Sequence, residues 1–202
     1  MTEQENFWAG EFGTEYSKRC YEDEHSISKV AVWADILRAA PGVNSVMELG
    51  CNTGGNLKAI HTLFPEAWLA GCEINEWAAD RALLEVPFVT VEVGSMFDLE
   101  WTQSDLVFTS GVLIHTPPEM LPAAYDKLYE LSGRYIMVME YYSPRPEEIP
   151  YRGYAGRLWK RDFAGEILDR YPLRLVDYRF IYHRDVFPQD DMTWFLMERT
   201  HD

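Results

Sequence analysis

A turn rich in glycine follows a short apolar run in the stretch SVMELGCNTGGNL, residues 45–57. Glycine lets the backbone adopt conformations that other residues avoid, so such a turn can approach a ligand closely. Glu48 precedes Gly50 in this stretch, and Asn52 lies between Gly50 and Gly54. The arrangement predicts a ligand site, and several classes of ligand are bound by turns of this kind.

Two carboxylates later in the chain could contact the same ligand. Glu73 ends a second apolar run, and a carboxylate in that place can accept hydrogen bonds from both hydroxyls of a ribose. Asp98 follows a third run, in GSMFDL, where it could accept from an adenine amino group while Met96 and Phe97 make apolar contact. These positions favour a ligand that contains a nucleoside.

Histidine and tyrosine side chains could assist a group-transfer reaction. Histidine accepts protons near physiological pH, because its unperturbed pKa is about 6.5. His115 follows the fourth predicted strand, His183 follows the sixth, and Tyr141 ends the fifth. We expect these three residues at the reacting centre, although His115 could instead support the ligand pocket.

A basic segment, YRGYAGRLWKRD at residues 151–162, could hold an anionic group of a substrate. Arginine suits that task because its guanidinium binds carboxylates and phosphates through two parallel hydrogen bonds. The segment is equally compatible with the solvated start of an amphipathic helix. The residues expected to contact the substrate are Arg152, Arg157, Arg161, Arg184, Glu140 and Tyr142.

The elements that must position these residues alternate between helix and strand. A first helix is predicted at residues 25–42, where apolar positions recur at helical spacing before a Pro-Gly stop. Predicted strands follow at 45–50, 67–75, 88–95, 104–115 and 134–142, with helices at 55–65, 76–86 and 117–133 between them. Such alternation predicts a parallel sheet with helices on both faces.

The two strand-like runs at the end, residues 173–184 and 192–200, are joined only by the loop DVFPQDD. A parallel crossover needs a dozen or more residues, so these runs can pair only as antiparallel neighbours. The predicted sheet therefore ends in an antiparallel hairpin. In an open α/β sheet, ligands bind at the carboxyl ends of the strands, where the glycine turn is expected.

Two nucleotide cofactors compete for a glycine turn in this place. The dinucleotide pattern G-x-G-x-x-G requires a glycine where the chain has Asn52, and that glycine lets the backbone approach a pyrophosphate. The acidic-x-G-x-G-x-G pattern of proteins that bind S-adenosylmethionine (SAM) fits Glu48, Gly50 and Gly54, again with Asn52 in place of one glycine. Glu73 suits both cofactors, whereas Asp98 and the terminal hairpin favour SAM over NAD.

The whole chain resembles the class I SAM-dependent methyltransferases, and more narrowly the pseudaminic acid biosynthesis-associated methylases, a bacterial group. The stretches that carry the resemblance are FWAGEFGTEYSKR, ELGCNTGGNL, DLVFTSGVLIHTPPEML, PYRGYAGRLWKRDFAGEILDRYP and LVDYRFIYHRDVFPQDDMTWFLME. The resemblance implies a Rossmann-like, seven-stranded, mostly parallel sheet and SAM as cofactor. It implies a nonulosonic-acid-type sugar, or its precursor, as methyl acceptor.

The resemblance also assigns a set of residues to the cofactor. Glu48 occupies the place that commonly binds the methionyl amine. Asn52 could direct its amide at the methionine portion or merely tolerate a left-handed backbone. The expected cofactor residues are Tyr16, Arg19, Glu48, Gly50, Asn52, Gly54, Glu73, Ile74, Met96, Phe97, Asp98 and Ser110.

The N-terminal segment, residues 1–44, precedes the core at 45–202 and contains the aromatic residues Phe7, Trp8, Phe12 and Tyr16. We favour a lid that covers SAM, with Tyr16 or Arg19 reaching the cofactor carboxylate. The alternative is a helix that packs against the sheet edge. A single domain of 202 residues accommodates both parts.

Composition excludes several functional classes. The net charge of −15 disfavours binding to nucleic acid or to anionic membranes. No apolar run reaches the length of a membrane helix, and the first residues lack a signal-peptide pattern, so a cytoplasmic protein is expected. The three widely spaced cysteines indicate free thiols, and no metal site is expected.

The sequence therefore predicts transfer of a methyl group from SAM to a hydroxyl or amine of a small polar acceptor, by a chain that could form a homodimer. Two alternatives stay open. The first is another reaction of SAM, such as intramolecular cyclisation or aminocarboxypropyl transfer, which releases methylthioadenosine. The second is a protein that binds SAM without catalysis.

Overall fold

A computed structural model describes residues 1–22 and 26–200. Its helices are α1 Glu3–Ala9, α2 Glu11–Glu22, α3 Ser26–Ala39, α4 Gly55–Leu63, α5 Glu76–Glu85, α6 Leu121–Leu131 and α7 Phe163–Arg170. Its strands are β1 Ser45–Leu49, β2 Trp68–Glu73, β3 Val89–Val93, β4 Ser104–Ser110, β5 Ser132–Glu140, β6 Glu147–Glu148, β7 Trp159–Lys160, β8 Leu173–Phe180 and β9 Thr193–Arg199.

Seven strands form one sheet in the order β3-β2-β1-β4-β5-β9-β8. The five strands from β1 to β5 are parallel, whereas β9 is antiparallel to both β5 and β8. The predicted fold class, including the terminal antiparallel hairpin, is confirmed. The strand order reverses at β1, so the carboxyl ends of β1 and β4 flank a crevice.

Helices cover both faces of the sheet, and this explains why β1 carries apolar residues on both of its faces. Val46 packs on the face covered by α3, α4 and α5, whereas Met47 and Leu49 pack on the face covered by α6 and α7. Alternate side chains of a strand point to opposite faces, so a strand buried on both faces must be apolar throughout. Glu48 is the exception, and it is 1% exposed.

The strand predicted at 104–115 is shorter in the structure and ends at Ser110. Gly111 has a φ of 68°, which turns the chain, and a 3₁₀ turn follows at Leu113–His115. The carboxylate of Glu140 accepts hydrogen bonds from the backbone N–H groups of residues 112, 113 and 114. Because this carboxylate comes from β5, the apolar pattern of residues 111–115 alone could not reveal the turn.

Two further features were not predicted. A small antiparallel sheet of β6 and β7 lies in the segment after β5, and strands of two residues leave no periodic pattern. The aromatic N-terminal segment is divided into α1 and α2 at Gly10. Within the described residues, none of the helices has both the length and the apolar character required to cross a membrane.

Candidate functional site

Two neighbouring cavities open at the carboxyl ends of β1, β2 and β4. The first lies beside β2 and the 3₁₀ turn Met96–Asp98, and α1 and α2 also contribute to its lining. The second, with a volume of about 750 Å³, lies beside α2, α3, the end of β5 and the loop between β8 and β9. Both cavities are bordered by Tyr16, Gly50, Asn52, Ser110, Gly111 and His115.

The glycine turn between β1 and α4 requires left-handed backbone conformations. The φ angles are 79° at Gly50 and 46° at Asn52. A Cβ atom on Gly50 would lie 2.6 Å from Cγ2 of Val112, so a side chain is excluded there by contact as well as by conformation. The N–H groups of Gly50 and Cys51 both donate to the carbonyl of Cys72, at 2.9 Å. These bonds fix the turn against β2.

Gly54, predicted to contact the cofactor, packs against α5 and lies outside both cavities. A Cβ atom on it would meet the Cβ of Ala82 at 3.1 Å and Cγ2 of Val86 at 3.3 Å. The residue is therefore needed for close packing of α4 on α5, and its φ of 79° adds a second reason for glycine. The next residue, Gly55, lines the second cavity instead.

Glu73 lies at the end of β2 and lines the first cavity. Its Oε1 accepts the N–H of Asn75 and its Oε2 accepts the N–H of Asn52, each at 2.8 Å. Burial raises the pKa of this carboxyl above its usual value, although the backbone N–H groups oppose the shift. The carboxylate thus connects the ends of β1 and β2 and keeps lone pairs for hydroxyl donors in the cavity.

Asn52 has a left-handed backbone and a side-chain oxygen without a partner among the described residues. Its backbone is left-handed, which asparagine tolerates better than most residues. Its side-chain Oδ1 is buried and has no hydrogen-bond partner among the residues that the structure describes. Since buried acceptors are normally paired, this oxygen is suited to a donor on a ligand.

Glu48 is the second buried acceptor without a complete set of partners. Its Oε1 accepts from Nδ2 of Asn56 at 2.7 Å, whereas Oε2 has no partner within residues 1–22 and 26–200. Burial raises its pKa to about 8, against the opposing effects of Asn56 and of the positive charge on Lys29. A cationic group of a ligand in the second cavity would favour the ionised form of this carboxyl.

The apolar wall of the first cavity comes from Ile74, Met96 and Phe97. The 3₁₀ turn that contains the last two begins at Ser95, whose hydroxyl accepts the N–H of Phe97. Asp98 is exposed and lies outside both cavities, so the structure does not bring it to the cofactor position as predicted. In a helix of three residues per turn, neighbouring side chains point in different directions, which separates Asp98 from Met96 and Phe97.

Glu5 is an acid that the sequence analysis missed at the first cavity. It lies in α1 and its carboxylate accepts a hydrogen bond from the hydroxyl of Ser95. The capping box of α1, in which Thr2 and Glu5 bond reciprocally, was a local signal for this helix but not for its position over the cavity.

Side chains from distant parts of the chain hold α1 over the first cavity. Gln4 donates to the carbonyl of His115 at 2.7 Å and accepts from Arg157 at 2.6 Å. Nδ2 of Asn75 donates to the carbonyls of Trp8 and Ala9 at 3.1 and 3.2 Å. The segment therefore lies over the carboxyl edge of the sheet, in the place that a lid would occupy.

His115 borders both cavities, between the rings of Trp8 and Tyr151 at centroid distances of 4.5 and 4.9 Å. Its Nδ1 lies 2.6 Å from the carbonyl of Arg157, so that nitrogen carries the proton. Burial lowers its pKa to about 4, although the bond to Arg157 opposes the shift. The imidazole is consequently neutral near pH 7 and a weak base.

Tyr141 and His183 line the second cavity, as expected for residues near an acceptor. Each is positioned by an acid of the loop between β8 and β9. The hydroxyl of Tyr141 donates to Asp190 at 3.1 Å, and Nδ1 of His183 lies 2.8 Å from both carboxylate oxygens of Asp191. Neither acid is predicted from the sequence, because an adjacent Asp pair in a polar loop gives no directional signal.

Glu140 and Tyr142 are not brought to the cavities. Glu140 is 2% exposed, and its carboxylate is occupied by the backbone N–H groups of the turn after β4. Tyr142 is 45% exposed and contacts the ring of Phe195 on the sheet. Consecutive residues at a strand end point to opposite faces, so Tyr141 alone of the three lines the cavity.

Of the arginines predicted to bind substrate, Arg152 lines the second cavity. Arg157 instead contacts Glu3 and Gln4 at 2.6 Å each, and so fastens α1. Arg161 pairs with Glu166 at 2.8 Å. Arg184 is exposed and lies outside both cavities. Ion pairs with Glu3 and Glu166 direct the side chains of Arg157 and Arg161 away from the cavity.

Arg19 and Lys29 also line the second cavity. Arg19 was predicted at the cofactor, whereas Lys29 was not singled out because it lies within a regular helix. The residues that the structure describes contain no group of three or more His, Cys, Asp or Glu side chains arranged to hold a metal ion. The three cysteines are free thiols.

No protein-family model and no curated protein matches the sequence. The resemblance to the pseudaminic acid-associated group therefore stays a prediction.

Solved structures do match. Magnesium protoporphyrin IX methyltransferase (ChlM) from Synechocystis PCC 6803, with SAH bound, superposes with a TM-score of 0.72 at 18% identity, over 97% of this chain and 98% of that chain. CalS10, a SAM-bound amino pentose methyltransferase from Micromonospora echinaspora, gives 0.66 at 14% identity, over 93% and 96%. A TehB-like SAM-dependent methyltransferase from Corynebacterium glutamicum gives 0.65 at 15% identity, over 93% and 97%. The chain has the Rossmann-like fold of these methyltransferases.

Proposed function

We propose that the protein is a SAM-dependent methyltransferase that acts on a small polar acceptor. The observation that carries the proposal is the row of acceptors along the carboxyl edge of the sheet: Glu73, Asn52 and Glu48. These acceptors would bind the ribose hydroxyls and the methionyl amine of SAM. The apolar side chains of Ile74, Met96 and Phe97 beside them would bind the adenine ring.

Each group has a fitting partner in the chain. Glu73 accepts from the ribose hydroxyls, and the free Oε2 of Glu48 accepts from the methionyl ammonium, directly or through water. Oδ1 of Asn52 offers a second acceptor near the methionine portion. We assign the cofactor carboxylate to Arg19 and Tyr16, which line the second cavity. Ser110 borders both cavities, where the two substrates would meet.

SAM supplies an activated methyl group, and the protein's task is to align an acceptor with it and to exclude water. Alignment can account for several kcal/mol of a barrier. The helices α1 and α2, held by Gln4 and Asn75, cover the first cavity and limit solvent access there. We propose that α1 and α2 of the segment 1–44 act as the lid, whereas α3 of that segment packs on the sheet with the catalytic core at 45–202.

His183 is the residue that we propose as base for a hydroxyl or ammonium acceptor. The bond from its Nδ1 to Asp191 leaves Nε2 unprotonated in the neutral ring, and the side chain lines the second cavity. His115 is less suited, because burial keeps its pKa at about 4. Tyr141, which donates to Asp190, is proposed to bind the acceptor beside the base.

The acceptor that we propose is a nonulosonic-acid-type sugar or its precursor, from the resemblance of the sequence. The polar lining of the second cavity supports a compact polar acceptor over a large apolar one. We also propose a cytoplasmic location, because the cysteines are free thiols and the cytoplasm keeps thiols reduced. Size-exclusion chromatography with light scattering would distinguish a monomer from a homodimer.

Isothermal titration calorimetry with SAM and S-adenosylhomocysteine tests the cofactor assignment, and failure of both to bind would overturn it. Incubation with SAM and a panel of amino, hydroxy and acidic sugars should release S-adenosylhomocysteine with at least one of them. Methylthioadenosine from SAM alone would indicate intramolecular chemistry instead. Tight SAM binding without turnover of any sugar would indicate a binding protein.

A further inference from the structure

Three cationic side chains line the second cavity. Arg19 comes from α2, Lys29 from α3 and Arg152 from the loop after β5. Within residues 1–22 and 26–200, no ion pair or hydrogen bond joins any of them to a carboxylate. In a chain with a net charge of −15, other arginines such as Arg157 and Arg161 are paired with acids. Three cations without such a partner therefore line one cavity.

The three charges converge on one place. All of them act on the thiol of Cys20, which lines the same cavity and whose pKa they lower, although burial dominates and raises it. Because electrostatic effects in proteins fall with distance, a common effect on one thiol is consistent with their shared position in the cavity wall. Charges from three separate elements thus line one cavity, where an anion could contact them.

Arg152 is held at this place by an unusual backbone. Its φ is 48°, a left-handed conformation that costs a non-glycine residue about 1–2 kcal/mol. Backbone bonds in both directions between Tyr151 and Tyr154, at 2.8 and 2.9 Å, close the turn that enforces this conformation. The side chain lies over the ring of Tyr151, at 5.7 Å from its centroid. Backbone strain of this kind is concentrated at binding sites.

The negative charges in the cavity do not balance these cations. The lining residues that carry a carboxyl group are Glu48 and Asp190, against three cations. SAM, if bound, brings one carboxylate together with a sulfonium and an ammonium. Positive charges then still outnumber negative ones, even if Arg19 binds the cofactor carboxylate.

We propose that the second cavity binds an acceptor that carries a carboxylate or phosphate, held by Arg152 and Lys29 with Arg19 at its side. This inference rests on the proposed function and specifies its substrate class. The anion fixes one end of the acceptor at the mouth of the cavity. Its hydroxyl or amine then faces inward toward Ser110 and Gly111, where the two cavities meet.

Saturation-transfer NMR on the protein saturated with S-adenosylhomocysteine tests the proposal with four probes. Galacturonate and its methyl ester differ in a carboxylate, and glucose 1-phosphate and glucose differ in a phosphate. We expect at least one anionic probe to bind about tenfold more tightly than its neutral counterpart, as for one hydrogen-bonded charge pair. The preference should weaken with added salt, because the charges lie near solvent.

The double variant Arg152→Gln, Lys29→Gln should lose this preference, whereas Arg38→Gln, an exposed arginine elsewhere on α3, should keep it. Binding of neither anion at millimolar concentrations, equal binding of charged and neutral probes, or a preference that survives the double variant would overturn the proposal. Calorimetry with S-adenosylhomocysteine on the same samples tests the proposed function separately from the proposed anion site. If S-adenosylhomocysteine fails to bind, the proposed function is wrong. A preference for the anionic probes in the ligand-free protein then still tests whether Arg152 and Lys29 bind an anion.

Discussion

Glu73 accepts the backbone N–H of Asn52 at 2.8 Å, so the carboxylate that ends β2 also holds the glycine turn that follows β1. The same carboxylate accepts the N–H of Asn75 at the start of α5. One side chain therefore fixes the relative position of two strand ends that border the first cavity. A ribose contact at Glu73 would depend on the same group that shapes the turn.

Replacement of Glu73 should abolish cofactor binding. We expect Glu73→Ala to weaken S-adenosylhomocysteine by at least about 100-fold, because charge-assisted hydrogen bonds contribute about 1.5–3 kcal/mol each. Glu73→Gln, which keeps the size of the side chain, should retain the fold and lose most of the affinity. Calorimetry gives the affinity and circular dichroism checks the fold. Unchanged affinity in both variants would contradict the assignment.

Binding of SAM should release a proton from Glu48. With a pKa of about 8, this carboxyl is largely protonated at pH 7, and the ammonium of SAM would favour its ionised form. We expect release of about one proton, measured as a difference in binding enthalpy between phosphate and Tris buffers. Glu48→Gln should bind without this difference. Equal enthalpies for the unaltered protein in both buffers would contradict the prediction.

Loss of the His183–Asp191 pair should slow methyl transfer without affecting the cofactor. General bases contribute about 10²–10⁴-fold, so His183→Asn should lower kcat within that range. Asp191→Asn should lower kcat less and should shift the pH profile of kcat. The reason is that the His183 ring would lose the carboxylate that fixes its tautomer. Affinity for S-adenosylhomocysteine should stay within twofold, as a matched control. A larger effect of His115→Asn on kcat alone would point to the other histidine.

His115 should make stability fall with acidification. Its pKa is lowered from 6.5 to about 4 in the folded chain, so the unfolded chain binds the proton more tightly. Its contribution is complete above about pH 6.5 and is lost as the pH falls toward 4, by about 3 kcal/mol in total. Urea unfolding of the unaltered protein and of His115→Asn across this range measures the difference. Buried Glu140, whose pKa is raised to about 7, has the opposite effect on how stability depends on pH. Because both proteins contain Glu140, this effect cancels in the comparison.

Gln4 should control how long the cofactor stays bound. Its amide bridges the carbonyl of His115 and the guanidinium of Arg157, and so fastens α1 over the first cavity. We expect Gln4→Ala to speed dissociation of S-adenosylhomocysteine about tenfold in stopped-flow experiments, through loss of one charge-assisted bond. Glu11→Gln, an exposed change at the start of α2, serves as the control. Equal rates in all three proteins would show that α1 is not a lid.

Local patterns in the sequence determined the order of strands and helices, the parallel core and the terminal hairpin. These features follow from burial and chain length: β1 carries apolar residues on both faces because both are covered, and the seven residues predicted between the last two strands are too few for a parallel crossover. The same patterns placed Glu48, Gly50 and Glu73 at the carboxyl edge, since the end of a strand is a local property. The four residues Ile74, Met96, Phe97 and Ser110 also lie at this edge.

Only the tertiary structure decided which side chains of the loops face the cavities. Arg152 lines a cavity, whereas Arg157 and Arg161 of the same segment are directed away by Glu3, Gln4 and Glu166. Asp98 points to solvent while Glu5, distant in sequence, occupies the first cavity. The positions of Asp191 beside His183 and of Lys29 beside the glycine turn likewise depend on how separate elements pack. Side-chain direction in loops follows from contacts between distant residues, and no local period in the sequence encodes those contacts.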